Sequence, residues 1–356
     1  MRLLKAFLFT HRRKAAEAQV YPFFKHRAEL EEKLRFVFDD INIADARQIT
    51  TDLYAGHCDV VFIQDSCFTG LTSEERIDIL RGVTGRARLV WLDSWDSTYA
   101  NAKGFSVLPY VDLYIKKQIF RNVNLYKNQY LDGRIFSDYL IRKGNLKTAF
   151  TGSVIGHQAH RHKVVLGWNI GSREDLDREF CQQNYKAFAN NERSTDVSCR
   201  VGTKKTPHRE WYSYHRNSVL QKLIEMRGEY KIVAKASKRP WQEYLDELRT
   251  SRITVSPFGW GEICRRDFEA VICGSLLIKP SMEHLNTLPN IYVAEKTYVP
   301  VKWDLSDLRE KCEYYLRNDV ERERIVKNAE GQYGTYFRER LFIGQVEEIL
   351  DRLKLR

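Results

Sequence analysis

The sequence predicts an α/β protein built from two Rossmann-like domains. Three observations carry that expectation. Short apolar runs alternate with amphipathic stretches along most of the chain, the alternation occurs twice on either side of a very polar segment, 171–195, and 356 residues suit two domains better than one. Hydrophobic residues at 43% and aromatics at 12% allow a sizeable core and exclude a disordered chain.

In the first half, residues 3–9 read as a strand and 23–37 as an amphipathic helix, because apolar positions recur at helical spacing among Lys, Arg and Glu. Residues 59–64, DVVFIQ, form a continuous β-branched and aromatic run, the pattern of a strand buried on both faces. A helix over 73–80 opens at the capping signal Thr72-Ser73-Glu74-Glu75. Strands are expected at 87–92, within 111–119 and at 163–166, the last running into the turn 167–171. The expected boundaries are a first domain over 1–170 and a crossing over 171–195.

The second domain, 196–335, alternates again. Strands are expected at 197–201, 230–234, 252–255 and 275–278, and helices at 211–227, 241–250 and 265–273. Residues 304–355 read as helical, with 336–356 as a terminal helix. No G-x-G-x-x-G opens either half, so a nicotinamide dehydrogenase is not supported.

The net charge of +11 is local. Residues 101–150 hold nine basic and three acidic side chains, and 201–250 hold eleven and six, so these two blocks account for the whole excess. The seven cysteines contain no C-x-x-C pair, which suits a reducing compartment, and Cys264 and Cys273 read as small core residues. His157, His160 and His162 cluster without a carboxylate and read as a polar loop, so no metal and no cofactor are expected. No apolar run reaches bilayer length and the opening residues lack a signal-peptide cleavage site; the expected location is cytoplasmic, with a peripheral membrane contact considered.

The densest chemical signal is 251–280, SRITVSPFGWGEICRRDFEAVICGSLLIKP. A strand runs into a turn holding Gly259, Gly261 and Glu262. The two glycines let backbone approach a ligand, and the helix that follows offers free amides to an anion. Arg266 and Glu269 stand three apart on that helix and share a face. The guanidinium suits a phosphate, and the carboxylate accepts ribose hydroxyls. The bland reading is an ordinary α/β unit with a glycine turn and a surface ion pair.

This segment, with Glu269-Ala270 and Gly274 in an E-A-x-x-x-G pattern and Tyr244, Leu248 and Ser251 upstream, resembles the donor-binding segment of GT-B glycosyltransferases. The resemblance is to the exostosin-like and bacterial polysaccharide (glycosyltransferase family 1/4-like) group. It implies a cleft between an acceptor domain and a nucleotide-sugar domain, with C-terminal helices crossing back to the first. It also implies a metal-independent transferase that moves a sugar from a nucleotide-diphosphate (or monophosphate) sugar to a glycan or lipid-linked acceptor in polysaccharide or glycan synthesis. Six residues separate Glu262 from Glu269, where retaining members often have seven.

The resemblance assigns Gly259, Gly261, Glu262, Arg266 and Glu269 to the donor, with Lys235 and Arg239 beside the departing diphosphate and Tyr298, in 295–300, over it. Arg266 also acts on the reacting phosphate. For the acceptor, Asp65, Asp93 and Asp96 follow first-domain strands, and Asp96 or Asp65 can serve as base; each alone reads more simply as a helix cap. Trp95 and Tyr99 can stack on a sugar face, while Trp91 reads as core. Basic residues of 101–150, among them Lys116, Lys117, Arg121, Lys127, Arg142, Lys143 and Lys147, suit an anionic glycan or an anionic membrane surface. The one D-x-D, Asp175-Leu176-Asp177, falls in the crossing. Two other readings stay open: a catalytically silent nucleotide- or sugar-binding protein on the same fold, and a nucleic-acid-binding protein, for which no binding motif is present.

Overall fold

The strand runs assemble into two parallel sheets of one shared topology. The computed structural model describes residues 2–11, 17–49, 57–99, 105–148, 158–182, 193–204 and 206–356. The first half contains β1 (Leu4–Thr10), α1 (Glu17–Lys25), α2 (Arg27–Leu34), β2 (Phe36–Asn42), β3 (Val60–Gln64), α3 (Ser73–Val83) and β4 (Arg88–Asp93). It continues with β5 (Leu113–Lys116), β6 (Gln118–Phe120), α4 (Ile135–Gly144), β7 (Val164–Leu166) and α5 (Glu174–Gln182). The strand order is β2-β1-β3-β4-β5-β7, every pair parallel.

The second half contains β8 (Thr195–Arg200), α6 (Glu210–Ile224), β9 (Ile232–Lys235), α7 (Trp241–Arg249), β10 (Ser251–Val255), α8 (Arg265–Ile272) and β11 (Leu276–Pro280). After it come β12 (Leu285–Thr287), β13 (Val299–Val301), α9 (Leu308–Arg317), α10 (Asp319–Arg338) and α11 (Leu341–Arg352). This sheet runs β9-β8-β10-β11-β13, again parallel. In both sheets the second strand lies on one side of the first and the third on the other. The strand order therefore reverses between β1 and β3 and between β8 and β10, and open α/β sheets bind ligands beyond the carboxyl ends at such points.

Successive residues of the first sheet point to opposite faces. Leu8, Phe62 and Val90 face one way and pack with Phe342, Val346 and Leu350 of α11, so the chain's last helix returns to cover the first sheet. Phe9, Ile63 and Trp91 face the other way, into a core that continues through Phe136 and Trp211 to Phe258 and Phe268 of the second half. An antiparallel ribbon of β6 and β12 ties the two halves as well. Among the described residues, no helix is long and apolar enough to cross a membrane.

The stretch 23–37, expected as one helix, is the end of α1, then α2, then the start of β2. Arg35 breaks it: in the left-handed region at φ 52°, its N–H caps the carbonyls of Glu31 and Leu30, and Phe36-Val37-Phe38 pair with β1. The expected crossing holds α5 in its described part. The capping signal at Thr72 is realised in both directions, Glu75 N–H to the Thr72 hydroxyl and Thr72 N–H to the Glu75 carboxylate. His160 and His162 lie in a 3-10 turn, and His157 lies outside the described residues.

Candidate functional site

An open cleft of about 750 Å³ lies between the halves, at the reversal point of the second sheet. Its walls are the loops after β8, β9 and β10, the first turns of α8, Arg216 of α6, and Asp96 and Ile170 from the first half. The structure thus brings together Asp96, Arg239, Gly259, Gly261, Arg266 and Glu269.

The α8 end is built on Asp267. That carboxylate is fully buried and accepts the Ser256 hydroxyl at 2.5 Å, the Tyr292 hydroxyl at 2.7 Å and the Cys264 N–H at 2.8 Å, and Lys279 lies 3.1 Å away. The Cys264 thiol accepts the Asp267 N–H in return, completing a reciprocal cap. Strand, turn and helix start are therefore one fixed unit. Arg266 donates to the Ser256 hydroxyl at 3.2 Å, and its Nε is buried without a partner among the described residues. Arg216 donates to the Gly202 carbonyl at 2.8 Å and the Phe258 carbonyl at 3.2 Å, joining the loops after β8 and β10. Sequence reasoning missed Arg216; the available signal was a cation on the buried face of a helix, beside His215 and Val219.

Glycine is required in the turn at Gly261, where a Cβ would fall 1.6 Å from the Asp96 carbonyl oxygen; at Gly259 a Cβ would stand 3.0 Å from the Arg216 guanidinium, close enough to crowd it. Glu269 is 4% exposed; it accepts the Tyr244 hydroxyl at 2.9 Å and meets Arg265 at 2.7 Å. Burial pushes its carboxyl up, against the pull of Arg265. Arg200 and Glu247 form a two-pronged pair at 2.7 Å on the β8 side, and Arg239 lies 3.6 Å from the same carboxylate. Lys204, Arg216, Lys238 and Arg266 also line the cleft, and none forms an ion pair among the described residues. The site carries an excess of positive charge beside a helix N-terminus, an arrangement that binds phosphate.

Four expected donor or acceptor residues stand elsewhere. Tyr298 is core: it is fully buried and its hydroxyl accepts the Met282 N–H. Lys235 is exposed at the end of β9 and is not on the cleft wall. Glu262 is fully buried and turns toward the first half, where it accepts the Thr98 N–H at 3.0 Å. Asp65 opens a 3-10 turn after β3, beside the reversal point of the first sheet but not on the cleft wall. Burial and then the nearby Asp93 push its carboxyl up to about 6, opposed by hydrogen bonds from Ser94. His11 follows the adjacent β1, and both His11 Nδ1 and Asp65 Oδ1 are buried without a partner among the described residues.

The basic block of the first half is not one patch. Lys116 and Lys117 are buried, the first 2.5 Å from Asp93 and the second 3.1 Å from Asp96. Arg142 pairs with Asp138 and Lys143 with Asp304. The D-x-D is occupied by cations too: Asp175 meets Arg173 and Arg265, and Asp177 meets Lys25. Trp91 is fully buried core and Trp95 is 48% exposed.

No protein-family model matches the sequence, and no curated protein does. Solved structures match over the whole length. An alpha,alpha-trehalose-phosphate synthase (UDP-forming) from Burkholderia vietnamiensis has a TM-score of 0.53 at 9% identity, covering 99% of this chain and 98% of its own. A glycosyltransferase from Rickettsia africae ESF-5 gives 0.51 at 11%, covering 99% and 100%. A trehalose-6-phosphate structure from E. coli, bound with UDP-2-fluoro glucose, gives 0.51 at 10%, covering 98% of each chain. These likenesses, the twin parallel sheets and the returning C-terminal helix establish one architecture: the chain has the GT-B fold.

Proposed function

We propose that the protein is a glycosyltransferase that moves a sugar from a nucleotide-diphosphate sugar to a glycan or lipid-linked saccharide acceptor. The observation that carries this reading is the pair Arg216 and Arg266, neither held in an ion pair at contact distance among the described residues, beside the capped N-terminus of α8 in the interdomain cleft. Two guanidiniums and helix amides neutralise a diphosphate both when bound and as it departs, and the second charge state gains more. Glu269, already oriented by Tyr244 and Arg265, keeps lone pairs for ribose hydroxyls. The same fold holds UDP-2-fluoro glucose in the E. coli structure.

The acceptor meets the first domain, and Asp96 is the base. Its side chain is 55% exposed on the cleft wall facing the donor residues. The acceptor oxygen bonds to the anomeric carbon, the bond to the diphosphate breaks with its electron pair on the phosphate, and the acceptor proton passes to Asp96. Arg121 and Lys127, exposed with Val123, give a small surface for peripheral contact with anionic lipid. Vesicles with and without anionic lipid test that contact, and equal binding to neutral vesicles refutes it.

The test of the main reading is a thermal-shift panel of nucleoside diphosphates and nucleotide sugars. A ligand at about 100 times its Kd stabilises by about 2.7 kcal/mol, a shift of several degrees. One nucleotide should raise Tm, and Arg266→Ala should cut the rise to about half or less. A flat response across uridine, adenosine, guanosine, cytidine and thymidine nucleotides rejects the donor site.

A further inference from the structure

We infer that Glu262 is a positioning residue that clamps Asp96 of the first domain against the donor turn of the second; this rests on the glycosyl-transfer reading above. The residue stands one position after Gly261, yet its carboxylate points away from the cleft. Its Oε2 accepts the Thr98 N–H at 3.0 Å and lies 3.4 Å from Gln118 Nε2. The same Gln118 nitrogen donates to the Asp96 carbonyl at 2.6 Å. Lys117 holds the Asp96 carboxylate from behind, 3.1 Å from Oδ1. The absent side chain of Gly261 lets that carbonyl sit directly on the turn.

The arrangement is poorly explained as adhesion alone. Glu262 is fully buried, burial raises its carboxyl, and its Oε1 has no partner among the described residues. A buried carboxylate with an unsatisfied oxygen sacrifices stability, whereas an apolar contact between the two turns would not. What the carboxylate adds is direction: a charge-assisted bond to one backbone amide, two residues from Asp96. The network Glu262–Thr98, Glu262–Gln118 and Gln118–Asp96 therefore fixes the first domain's only carboxylate on the described cleft wall relative to Arg266 and Glu269. One domain's donor loop sets the position of the other domain's base.

The experiment compares Glu262→Ala, Glu262→Gln and Gln118→Ala in the full chain. The probe is the nucleotide sugar giving the largest thermal shift with wild type, and the readouts are its Kd and the rate of nucleoside diphosphate release. Displacing a catalytic group by about 1 Å costs on the order of 100-fold. Glu262→Ala and Gln118→Ala should therefore lower kcat about 10- to 100-fold while Kd stays within about threefold of wild type. Glu262→Gln keeps an oxygen for the Thr98 amide and should recover most of the rate.

Wild-type turnover in both clamp variants overturns the inference, as does a loss of donor affinity equal to the loss of rate. Where Glu262→Ala fails to fold, Gln118→Ala carries the test, because it leaves the buried carboxylate in place. Where release to water is too slow to measure, hydrogen exchange of the 96–99 amides decides. Faster exchange in Gln118→Ala supports the clamp, and unchanged exchange refutes it. Absence of any nucleotide binding by wild type rejects the transferase reading itself, a separate outcome.

Discussion

Arg266 shows how far a single residue can be read from spacing. Its place three before Glu269 and just inside a helix predicts a shared face, and both line the cleft. Arg266→Ala removes a charged donor from the proposed phosphate, so nucleotide affinity should fall about 10- to 100-fold by titration calorimetry, with Arg266→Lys recovering only part. Glu262 and Tyr298 show the limit. Spacing fixes which residues follow the turn but not which way a turn side chain faces, and Glu262 faces the other domain. Arg216 was hidden because its partners, Gly202 and Phe258, are 14 and 42 residues away in sequence.

Asp65 gives a pH prediction at the same scale. Its carboxyl is raised to about 6, above the unfolded value of about 3.9, so ionisation costs more in the folded state. The unfolded chain releases this proton first, and stability falls between about pH 4 and pH 6. Asp65→Asn removes that cost. Its stability by urea unfolding should match wild type near pH 4 and exceed it by up to about 3 kcal/mol at pH 7 to 8. Equal stability at both pH values would show that burial does not disfavour the charged carboxylate.

At the scale of elements, legibility followed how local each determinant was. Buried runs such as β3 and β4 were plain, because a strand covered on both faces needs apolar residues at every position. The boundary at Arg35 was not, since apolar spacing fits helix through Val37 and only the left-handed residue and pairing with β1 redirect the chain. Arg35→Gly should accordingly stabilise by up to about 1 kcal/mol, because glycine adopts that conformation without strain. The returning helix α11 is a stronger case. Phe342 lies 5.1 Å from the Phe23 ring and 4.7 Å from Trp168, fully buried on the first sheet. Phe342→Ala should cost about 3–5 kcal/mol in urea unfolding, the range for a buried aromatic replaced by alanine. A cost under about 1 kcal/mol would mean that α11 is not part of the first domain's core.

For the whole molecule, the decisive feature is that two domains separate in sequence share a core. The Phe136 ring of α4 meets Trp211 edge to face at 5.4 Å and lies tilted against Phe258 at 4.6 Å, and Asp132 accepts the Trp211 indole N–H at 2.5 Å and Arg209 at 3.2 Å. Arg134 reaches the Trp260 carbonyl at 2.5 Å, beside the clamp at Glu262. Contacts of this kind bury apolar rings on both sides, so separating the domains exposes the same surface that unfolding exposes. The two sheets should therefore melt as one unit: calorimetry should give a single transition whose van't Hoff and calorimetric enthalpies agree. Phe136→Ala should weaken the coupling at a cost of about 3–5 kcal/mol and split or broaden that transition. Two resolved transitions in wild type would place the folding boundary within this interface and would mean that the cleft can gape without disturbing either core. A single transition would mean that the two walls of the cleft, with Asp96 on one and Arg266 on the other, fold and unfold together.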